Sequence, residues 1–332
     1  MRENKNELIG KHCFIFITDV SYKNFDTVDC KYVYNFFKLF KLFLFSKRND
    51  RFILHSYMHP YLYLFSLLTF WNLKKMIWII WGGDLYFYRE PKFLKYQLYE
   101  FFRKCTIKKF KYILGLKGDY LLAQEYYKVK GSWLDGVVYP LHLDEGFKIE
   151  NEENHTLRVL LGNSADPSNN HIEALEMLSR FNHLDMKVFV PLSYGGTPEY
   201  IKMVDKAGIN LLSDKYIAVK KYMRGKEYNE FLSTIDIMIC NHNRQQALGN
   251  IFALFNMGKK IFIRDGITTV DLLNEYKLKF FITQDIERMG IDELAHYDLE
   301  DKVKNQTIVR LLYSNSRVIS LWNKIFQKIT QC

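Results

Sequence analysis

The sequence predicts an α/β protein with two doubly wound parallel sheets. Apolar strand-like runs alternate with helical patterns along all 332 residues, a polar and acidic stretch divides the alternation into two series, and glycine or polar residues follow several strand ends. Such alternation is typical of βαβ units around a parallel sheet. We therefore predict two domains, residues 1–150 and 151–332, that face each other across a cleft.

Each series has its own set of predicted strands. In the first half they cover residues 13–18, 51–56, 75–81 and 111–116, with a further strand near Val137. The polar stretch 140–155 is predicted to be an inter-domain linker. In the second half the predicted strands cover residues 157–162, 186–192, 209–213, 235–240, 259–264 and 280–283, and the chain closes on a helix, SRVISLWNKIFQKI.

Several classes of protein are excluded by composition. No run of 18 apolar residues lacks charge, and the N-terminus has no apolar stretch typical of a secretory signal, so we expect a cytoplasmic chain without a transmembrane helix. The five cysteines are scattered singly, and neither a Cys-x-x-Cys nor an HExxH motif occurs. A disulfide framework, structural zinc and metalloprotease chemistry are therefore not expected, and we expect no metal cofactor.

The positive charge lies in the first half of the chain. Residues 1–150 contain 24 Lys and Arg against 15 Asp and Glu, whereas residues 151–332 contain 23 against 22. In the segment 35–48, NFFKLFKLFLFSKR, a broad apolar face is flanked by Lys38, Lys41, Lys47 and Arg48. This pattern fits a helix on an anionic membrane surface, and it also fits a core helix with solvated lysines. No nucleic-acid-binding motif is present, so a nucleic-acid partner is not expected.

Two loops of the second domain are candidates for binding a nucleotide. The predicted strand RVLLG ends at Gly162, and a turn and a Ser-Asn-Asn cluster follow it before a predicted helix begins. Such an arrangement can present backbone N–H groups to a pyrophosphate. After a second strand comes 241–250, NHNRQQALGN, where Arg244 offers a fork of donors to a diphosphate and Gln245 or Gln246 can read a sugar or base edge. The alternatives are ordinary turn chemistry and solvated loops.

Strand ends of the first domain carry candidate catalytic groups. They are Asp19, His55 and Asp84, the last placed after a Trp-rich strand and a Gly-Gly turn. A carboxylate or histidine in a partly dry cleft can take the proton of an acceptor hydroxyl. As alternatives, Asp84 would cap the helix that follows it, and His55 would be a hydrogen-bonded histidine near the core.

Taken together and in order, several segments resemble a known bacterial family. The matching pieces are IWGGDLY around Asp84, KGD at 117–119, VYP at 138–140, LGNSADPSNNHIEAL from Leu161, VFVPLSY from Val188, AGINLLS from Ala207 and RQQALG from Arg244. From about Ile17 to the last helix, the chain resembles the TDP-N-acetylfucosamine:lipid II N-acetylfucosaminyltransferases, also classed as 4-alpha-L-fucosyltransferases. Those enzymes add the third sugar of the enterobacterial common antigen repeat to an undecaprenyl-linked acceptor.

The resemblance implies a GT-B glycosyltransferase of two Rossmann-like domains. In that fold the C-terminal domain binds the nucleotide sugar and the N-terminal domain binds the acceptor, usually without a metal. By position, Asp19, His55 and Asp84 would face the acceptor. The donor side would be lined by Gly162, Asn163, Ser164, Asn169, His171, Tyr194, Arg244, Gln245, Gln246 and Gly249.

These observations predict a peripheral enzyme of the bacterial inner membrane. It would move a deoxyhexosamine such as N-acetylfucosamine from a dTDP-like donor to a polyprenyl-diphosphate-linked or lipopolysaccharide sugar, in surface polysaccharide synthesis at the cytoplasmic leaflet. The basic and Phe-rich first half fits an acceptor held in a membrane. Two alternatives remain open: a GT-B nucleotide-sugar epimerase and a non-catalytic polysaccharide-assembly protein.

Overall fold

The structure, a computed structural model, describes residues 7–16, 30–32, 36–89, 94–136 and 156–331. Its chain forms two compact units. Unit 1 combines Met1–Pro140 with Ser314–Cys332, and unit 2 is Leu141–Tyr313. Within the described ranges no helix has the length and apolar character needed to cross a bilayer.

Unit 1 contains two parallel sheets in its described part. A small sheet pairs β1 (Phe14–Phe16) with β2 (Cys30–Tyr32). The larger sheet has four strands in sequential order, β3 (Phe52–His55), β4 (Met76–Ile79), β5 (Tyr112–Leu114) and β6 (Ser132–Leu134). The helices are α1 (Phe36–Leu44), α2 (Pro60–Leu68), α3 (Leu94–Ile107) and α4 (Lys117–Tyr127), with 3-10 turns at Phe70–Lys75 and Tyr86–Arg89.

The larger sheet of unit 1 buries both of its faces. Along β4, Met76 and Trp78 pack into the core beneath α1 to α4, whereas Ile77 and Ile79 pack into a second core on the opposite face. This division follows from the period of two in a strand. Each connection from β3 to β6 moves one strand in the same direction, so right-handed crossovers place α2, α3 and α4 on one face.

Helix α1 divides its apolar residues between core and surface. Leu39 and Phe43 are buried in the core beneath the helices, and the Phe43 ring stacks on Phe52 with centroids 4.8 Å apart. Phe37 and Phe45 are exposed. The core interpretation of the segment 35–48 therefore holds for one side of the helix. The other side presents aromatic rings and lysines outward, and the membrane-surface interpretation stays a prediction.

Unit 2 is a six-stranded parallel sheet covered by helices. Its strands are β7 (Leu157–Leu161), β8 (Met186–Pro191), β9 (Tyr216–Val219), β10 (Ile237–Cys240), β11 (Lys260–Ile263) and β12 (Phe281–Ile282). Its helices are α5 (His171–Ser179), α6 (Pro198–Leu212), α7 (Gly225–Ser233), α8 (Leu248–Asn256), α9 (Thr268–Glu275), α10 (Ile291–Ala295) and α11 (Leu299–Leu312), with 3-10 turns at Pro167–Asn169, Ser213–Lys215 and Thr283–Glu287.

The strand order of unit 2 marks where a ligand would bind. The order is β12-β11-β10-β7-β8-β9, so the chain moves outward from β7 in one direction to β9 and then in the other direction from β10 to β12. In open α/β sheets the crevice outside the carboxyl ends of the strands at such a reversal is the usual ligand site. The loops after β7 and β10 flank this crevice.

One predicted strand is wrong. Residues 209–213 are not a strand, because α6 continues to Leu212, and the edge strand β9 begins at Tyr216. Gly208 looks in the sequence like a residue that ends a helix, but it lies inside α6. A Cβ at this position would come within 2.3 Å of the Tyr216 ring, so the close packing of helix and ring requires glycine. A short apolar run cannot be assigned to helix or strand by periodicity alone.

The C-terminal helix α12 (Asn315–Thr330) belongs to unit 1, which corrects the predicted boundary 151–332. Its apolar side packs on Ile77 and Ile79 of β4 through the buried side chains of Trp322, Ile325, Phe326 and Ile329. These four residues recur at spacings of three and four, as one face of a helix requires. The predicted linker 140–155 and the strand near Val137 lie outside the described residues.

Candidate functional site

In unit 2 the loops after β7 and β10 are hydrogen-bonded to each other. The Gln246 amide nitrogen donates to Asn163 Oδ1 at 2.7 Å, and the Ser168 hydroxyl donates to Gln246 Oε1 at 2.8 Å. The backbone N–H of Asn243 donates to the Ser168 carbonyl at 3.0 Å. Asn163 and Gln246, both predicted to line the donor side, are therefore in direct contact at the crevice of the sheet.

Asn169 supports the loop after β7 from its buried side. Its side-chain Oδ1 accepts the Asn163 N–H at 3.0 Å and lies 2.9 Å from Nε2 of His242, and its amide nitrogen donates to the Asp166 carbonyl at 2.9 Å. The residue is fully buried. Gly162 makes this possible, because its φ is +71° and a Cβ there would lie 2.5 Å from Asn169 Oδ1. Asn169 thus shapes the loop from beneath.

Two buried histidines flank Asn169. Burial lowers the pKa of His171 to about 4 and that of His242 to about 3, so both imidazoles are neutral near pH 7. His171 Nδ1 lies 3.0 Å from the Tyr200 hydroxyl. Like Asn169, His171 was predicted to line the donor side, and the structure buries both beneath the loop surface, where Asn169 bonds the loop backbone and His171 contacts the Tyr200 hydroxyl.

Arg244 lies at the crevice as a partly buried cation. Its Nη2 is 3.2 Å from Asp166 Oδ2, which joins the β10 loop to the β7 loop. The following helix, α8, begins after Ala247 in the left-handed conformation (φ +59°) and has no side-chain cap. The first N–H groups of α8 therefore receive no side-chain cap from Ala247, and Gly249 in the first turn is partly exposed, an arrangement that favours an anion.

The remaining predicted donor residues differ in access. Ser164 and Gln245 are buried, whereas Gly249 is partly exposed. Ser164 supports the turn through its hydroxyl, which lies 3.4 Å from the Asp166 N–H. The backbone N–H groups of Gly162, Asn163 and Ala165 donate to Ile239, Asn169 and Tyr194, so most of this turn's backbone is already hydrogen-bonded within the loop.

A pocket of about 270 Å³ opens beside these loops within unit 2. Tyr194 and Tyr222 form an edge-to-face pair in its wall, with ring centroids 5.9 Å apart, and the Arg224 guanidinium lies 5.1 Å from the Tyr222 ring. Deeper in the wall, the Asn250 amide donates to the Tyr228 hydroxyl at 2.7 Å. Aromatic faces together with an amide are the groups that bind a nucleobase by stacking and edge contacts.

Sequence reasoning found only part of this pocket. It included Asn163 and Tyr194 but missed Tyr222, Arg224, Tyr228 and Asn250. The misplaced strand at 209–213 hid the loop that follows the true strand, β9, and with it Tyr222, Arg224 and Tyr228. Asn250 ends the segment 241–250 but was not singled out. The signal was present, because KKYMRGKEY at 220–228 joins aromatic and basic residues between a strand end and a glycine that opens a helix.

In unit 1, Asp84 organises the strand ends. Its Oδ2 accepts hydrogen bonds from the Trp78 indole at 2.6 Å and from the Tyr57 N–H at 3.1 Å, and its Oδ1 accepts the Trp81 N–H at 2.9 Å. The carboxylate is buried. The alternative that Asp84 caps the helix after it is wrong, since its donors come from Trp81 and from residues earlier in the chain. The geometry favours a role in holding the loops after β3 and β4.

His55 is the accessible candidate in unit 1. It ends β3 with an exposed side chain, which does not agree with the alternative of a core histidine. Its ring meets the exposed Trp81 ring edge to face, with centroids 6.0 Å apart, and desolvation lowers the pKa of the imidazole. A neutral imidazole can accept a proton. Asp19, the third candidate, lies outside the described residues.

A buried ion pair supports the same loops from below. Arg103 on α3 is completely buried and pairs with Glu100 at 2.8 Å. It also bonds the Tyr127 hydroxyl, which donates to the Leu85 carbonyl at 3.0 Å in the loop after β4. Sequence reasoning missed this group, since a basic residue on a helix is usually solvated.

The fold is that of several solved glycosyltransferases. A glycosyltransferase from Rickettsia africae matches with a TM-score of 0.67 and 16% identity over 96% of this chain and 90% of that one. An E. coli trehalose-6-phosphate protein bound with UDP-2-fluoro glucose matches with a TM-score of 0.60 and 9% identity over 90% of this chain and 78% of that one. WaaG, a glycosyltransferase involved in lipopolysaccharide biosynthesis, matches with a TM-score of 0.52 and 13% identity over 84% of this chain and 85% of that one. The α/β class and the GT-B fold expected from the sequence are confirmed.

The parallel sheets of the two units and the similarity to these solved structures define the class as GT-B glycosyltransferases. The family is identified by a model that matches residues 30–325, described as 4-alpha-L-fucosyltransferase, glycosyl transferase group 56. The chain belongs to this family and is a transferase. The resemblance stated from the sequence motifs is thereby confirmed.

Proposed function

We propose that this enzyme transfers a deoxyhexosamine, similar to N-acetylfucosamine, from a dTDP-linked donor to a glycan carried on a polyprenyl diphosphate or on lipopolysaccharide. The observation that carries the proposal is the crevice of unit 2, where Arg244, an uncapped helix and an aromatic pocket lie within adjoining loops. Family membership supports the sugar class, and the resemblance to enzymes of the enterobacterial common antigen supports the lipid-linked acceptor.

The nucleoside would occupy the pocket of unit 2. Tyr194 and Tyr222 offer aromatic faces for the base, and Asn250 offers an amide for its edge. A volume of about 270 Å³ suits the nucleoside better than the whole donor. The diphosphate would therefore extend toward Arg244 and the N-terminus of α8, where a guanidinium and backbone N–H groups favour an anion. The similar E. coli structure with UDP-2-fluoro glucose supports nucleotide-sugar binding by this fold.

Arg244 would stabilise the leaving group. As the bond between the anomeric carbon and the diphosphate oxygen breaks, negative charge collects on the departing dTDP, and a fixed guanidinium is worth most at that moment. Asp166 forms an ion pair with Arg244 and would hold its guanidinium in place before the donor binds. The step as proposed uses no metal ion.

His55 would receive the acceptor proton in unit 1. The acceptor hydroxyl forms the new bond to the anomeric carbon, and its proton passes to the neutral imidazole, which is exposed at the end of β3. Asp84 would act by positioning, because its carboxylate accepts hydrogen bonds from the Trp78 indole and from the backbone N–H groups of Tyr57 and Trp81. Asp19 stays a candidate from the sequence.

We also propose that the enzyme works at the cytoplasmic leaflet of the bacterial inner membrane. A polyprenyl-linked acceptor never leaves the bilayer, so the enzyme must reach the lipid headgroups. The excess of positive charge in residues 1–150 supports attraction to anionic lipids.

The first test is thermal stabilisation of the purified protein by nucleotides, because a ligand that binds only the folded state raises the melting temperature. We expect a shift with dTDP and dTDP-sugars and none with ADP or GDP. Arg244→Ala should weaken dTDP binding by about ten- to a hundredfold, the range of a charge-assisted contact. Arg317→Ala, an exposed arginine on α12, is the matched control and should bind normally.

Transfer itself is then measured with a lipid-linked acceptor. Arg244→Ala should lower turnover by two to three orders of magnitude, roughly the effect of removing one transition-state donor. Near-normal transfer by a folded Arg244→Ala variant would refute the role of Arg244. Conversion of the donor to another nucleotide sugar without acceptor would instead show an epimerase, and no response to any nucleotide would show a non-catalytic protein.

A further inference from the structure

The outer face of the helical layer in unit 1 is unusually apolar. Helix α2 exposes Tyr61, Leu64 and Leu68, which share one side at spacings of three and four. Helix α3, which packs beside it, exposes Leu94, Leu98 and Phe101 in the same manner. Two neighbouring helices on one side of a sheet therefore each turn an apolar stripe outward.

The apolar face continues beyond these two helices. Phe70 and Trp71 follow α2 and are both at least half exposed, and Phe45 at the end of α1 is 73% exposed. From Pro60 to Trp71 the chain has no charged residue. Of the 25 exposed large hydrophobic residues in the described part of the chain, 17 lie in unit 1. A contiguous exposed apolar surface of this kind marks an interaction site.

The segment that forms this face carries mostly positive charge. Residues 36–111 contain fifteen Lys and Arg but four Asp and Glu, and among these Arg103, Asp84 and Glu100 are buried. Lys38, Lys41 and Lys74 are exposed on α1 and on the turn after α2. Such a face attracts an anionic surface. A second copy would bring like charges together, which disfavours a homodimer through this face.

We propose that the outer face of α1, α2 and α3 binds an anionic lipid bilayer. We call it the docking face and define it by Phe45, Leu64, Leu68, Phe70, Trp71, Leu98 and Phe101. These side chains would enter the boundary between headgroups and acyl chains, where an indole is favoured, while the lysines bind anionic headgroups. The proposed function gives this face its purpose, to bring the enzyme to a lipid-linked acceptor, but bilayer binding is measured without donor or acceptor.

The test is co-sedimentation with vesicles of phosphatidylcholine, with and without phosphatidylglycerol. We expect tight binding only to the vesicles that contain phosphatidylglycerol. The pair Leu68→Gln and Leu98→Gln should lower the partition coefficient at least tenfold, because two half-exposed leucines no longer leave water. The matched control, Ile209→Gln with Leu299→Gln, removes two similarly exposed apolar residues from unit 2 and should bind as the unmodified protein does.

A second set of variants tests the charges. Replacing Lys38, Lys41 and Lys74 with Gln should weaken binding about fivefold for each charge removed. Replacing the exposed Lys202, Lys206 and Lys304 of unit 2 gives the same net charge and should have little effect. Added salt should weaken vesicle binding by the unmodified protein and have little effect on vesicle binding by the triple Lys→Gln variant of the docking face.

The outcomes separate this proposal from the proposed function. Equal vesicle binding by the docking-face variants and their unit 2 controls would overturn it. So would a concentration-dependent dimer that Leu68→Gln and Leu98→Gln abolish, since a second copy would then cover the face. In all of these variants the dTDP-induced rise in melting temperature should persist, and its absence in the unmodified protein would instead overturn the donor assignment.

Discussion

Replacing Gly162 with alanine separates two effects that the β7 loop combines. Gly162 has a φ of +71°, and a Cβ there would lie 2.5 Å from Asn169 Oδ1. Gly266, also in unit 2, has a φ of +75° but open space around its Cβ position. Both substitutions strain the backbone equally, so Gly266→Ala is a matched control for the collision with Asn169.

The expected losses of stability differ by a factor of about two to four. An alanine with left-handed φ costs about 1–2 kcal/mol, partly offset because the unfolded chain has fewer conformations, so Gly266→Ala should lose about 1 kcal/mol. In Gly162→Ala, Asn169 must also move away from the Asn163 N–H and from His242. A buried donor left without a partner costs about 1–3 kcal/mol. The total for Gly162→Ala is therefore about 2–4 kcal/mol.

Calorimetry and far-ultraviolet circular dichroism are the suitable assays. Tryptophan fluorescence reports unit 1, since all five tryptophans belong to it. For a unit of this size, 1 kcal/mol moves the melting temperature by about 2–4 °C. We expect a drop of roughly 10 °C for Gly162→Ala and about 3 °C for Gly266→Ala. Equal drops would refute the argument that Asn169 anchors the loop.

Three further predictions follow from buried groups. Asp84→Asn should destabilise unit 1 by about 2–4 kcal/mol, because either orientation of the amide turns its nitrogen toward a donor such as the Trp78 indole; an unchanged urea midpoint by tryptophan fluorescence would contradict this. His171 and His242 have a lower pKa in the folded protein than the 6.5 of the unfolded chain, so below pH 6.5 the unfolded state binds more protons. The stability should therefore fall as the pH drops from 6.5 toward 4 for His171 and toward 3 for His242. His242→Asn should flatten the dependence of melting temperature on pH, and a profile of unchanged slope would argue against this account. Trp322→Ala should cost unit 1 about 3–5 kcal/mol, measured with the four remaining tryptophans, and a normal transition would show that α12 is not part of its core.

The sequence predicts the fold well where burial is continuous. Strands β4 and β10 are uninterrupted apolar runs buried along their length, so only their ends were uncertain by a residue or two. The bounds of the last helix were predicted almost to the residue, but it was assigned to the wrong unit. An apolar face on a helix does not indicate which sheet the helix covers. That information lies in Ile77 and Ile79, more than 200 residues earlier.

The candidate site was predicted in its location more than in its detail. The loops after β7 and β10 were found because strand ends and turn residues are local signals. Whether a polar side chain of a motif faces a ligand or the loop beneath it is not local, because Asn169 is buried by contact with His242, which a different strand delivers. For the same reason Asp84, prominent in its motif, supports two loops from inside.

The position of α12 has a consequence for how the chain is made. One face of the β3–β6 sheet is covered by Trp322, Ile325, Phe326 and Ile329, which are synthesised after the whole of unit 2. Unit 2 has its strands and helices in one continuous segment and can fold as soon as that segment emerges. We therefore expect the part of the protein that is translated first to finish folding last, with an apolar sheet face open to chaperones until α12 arrives.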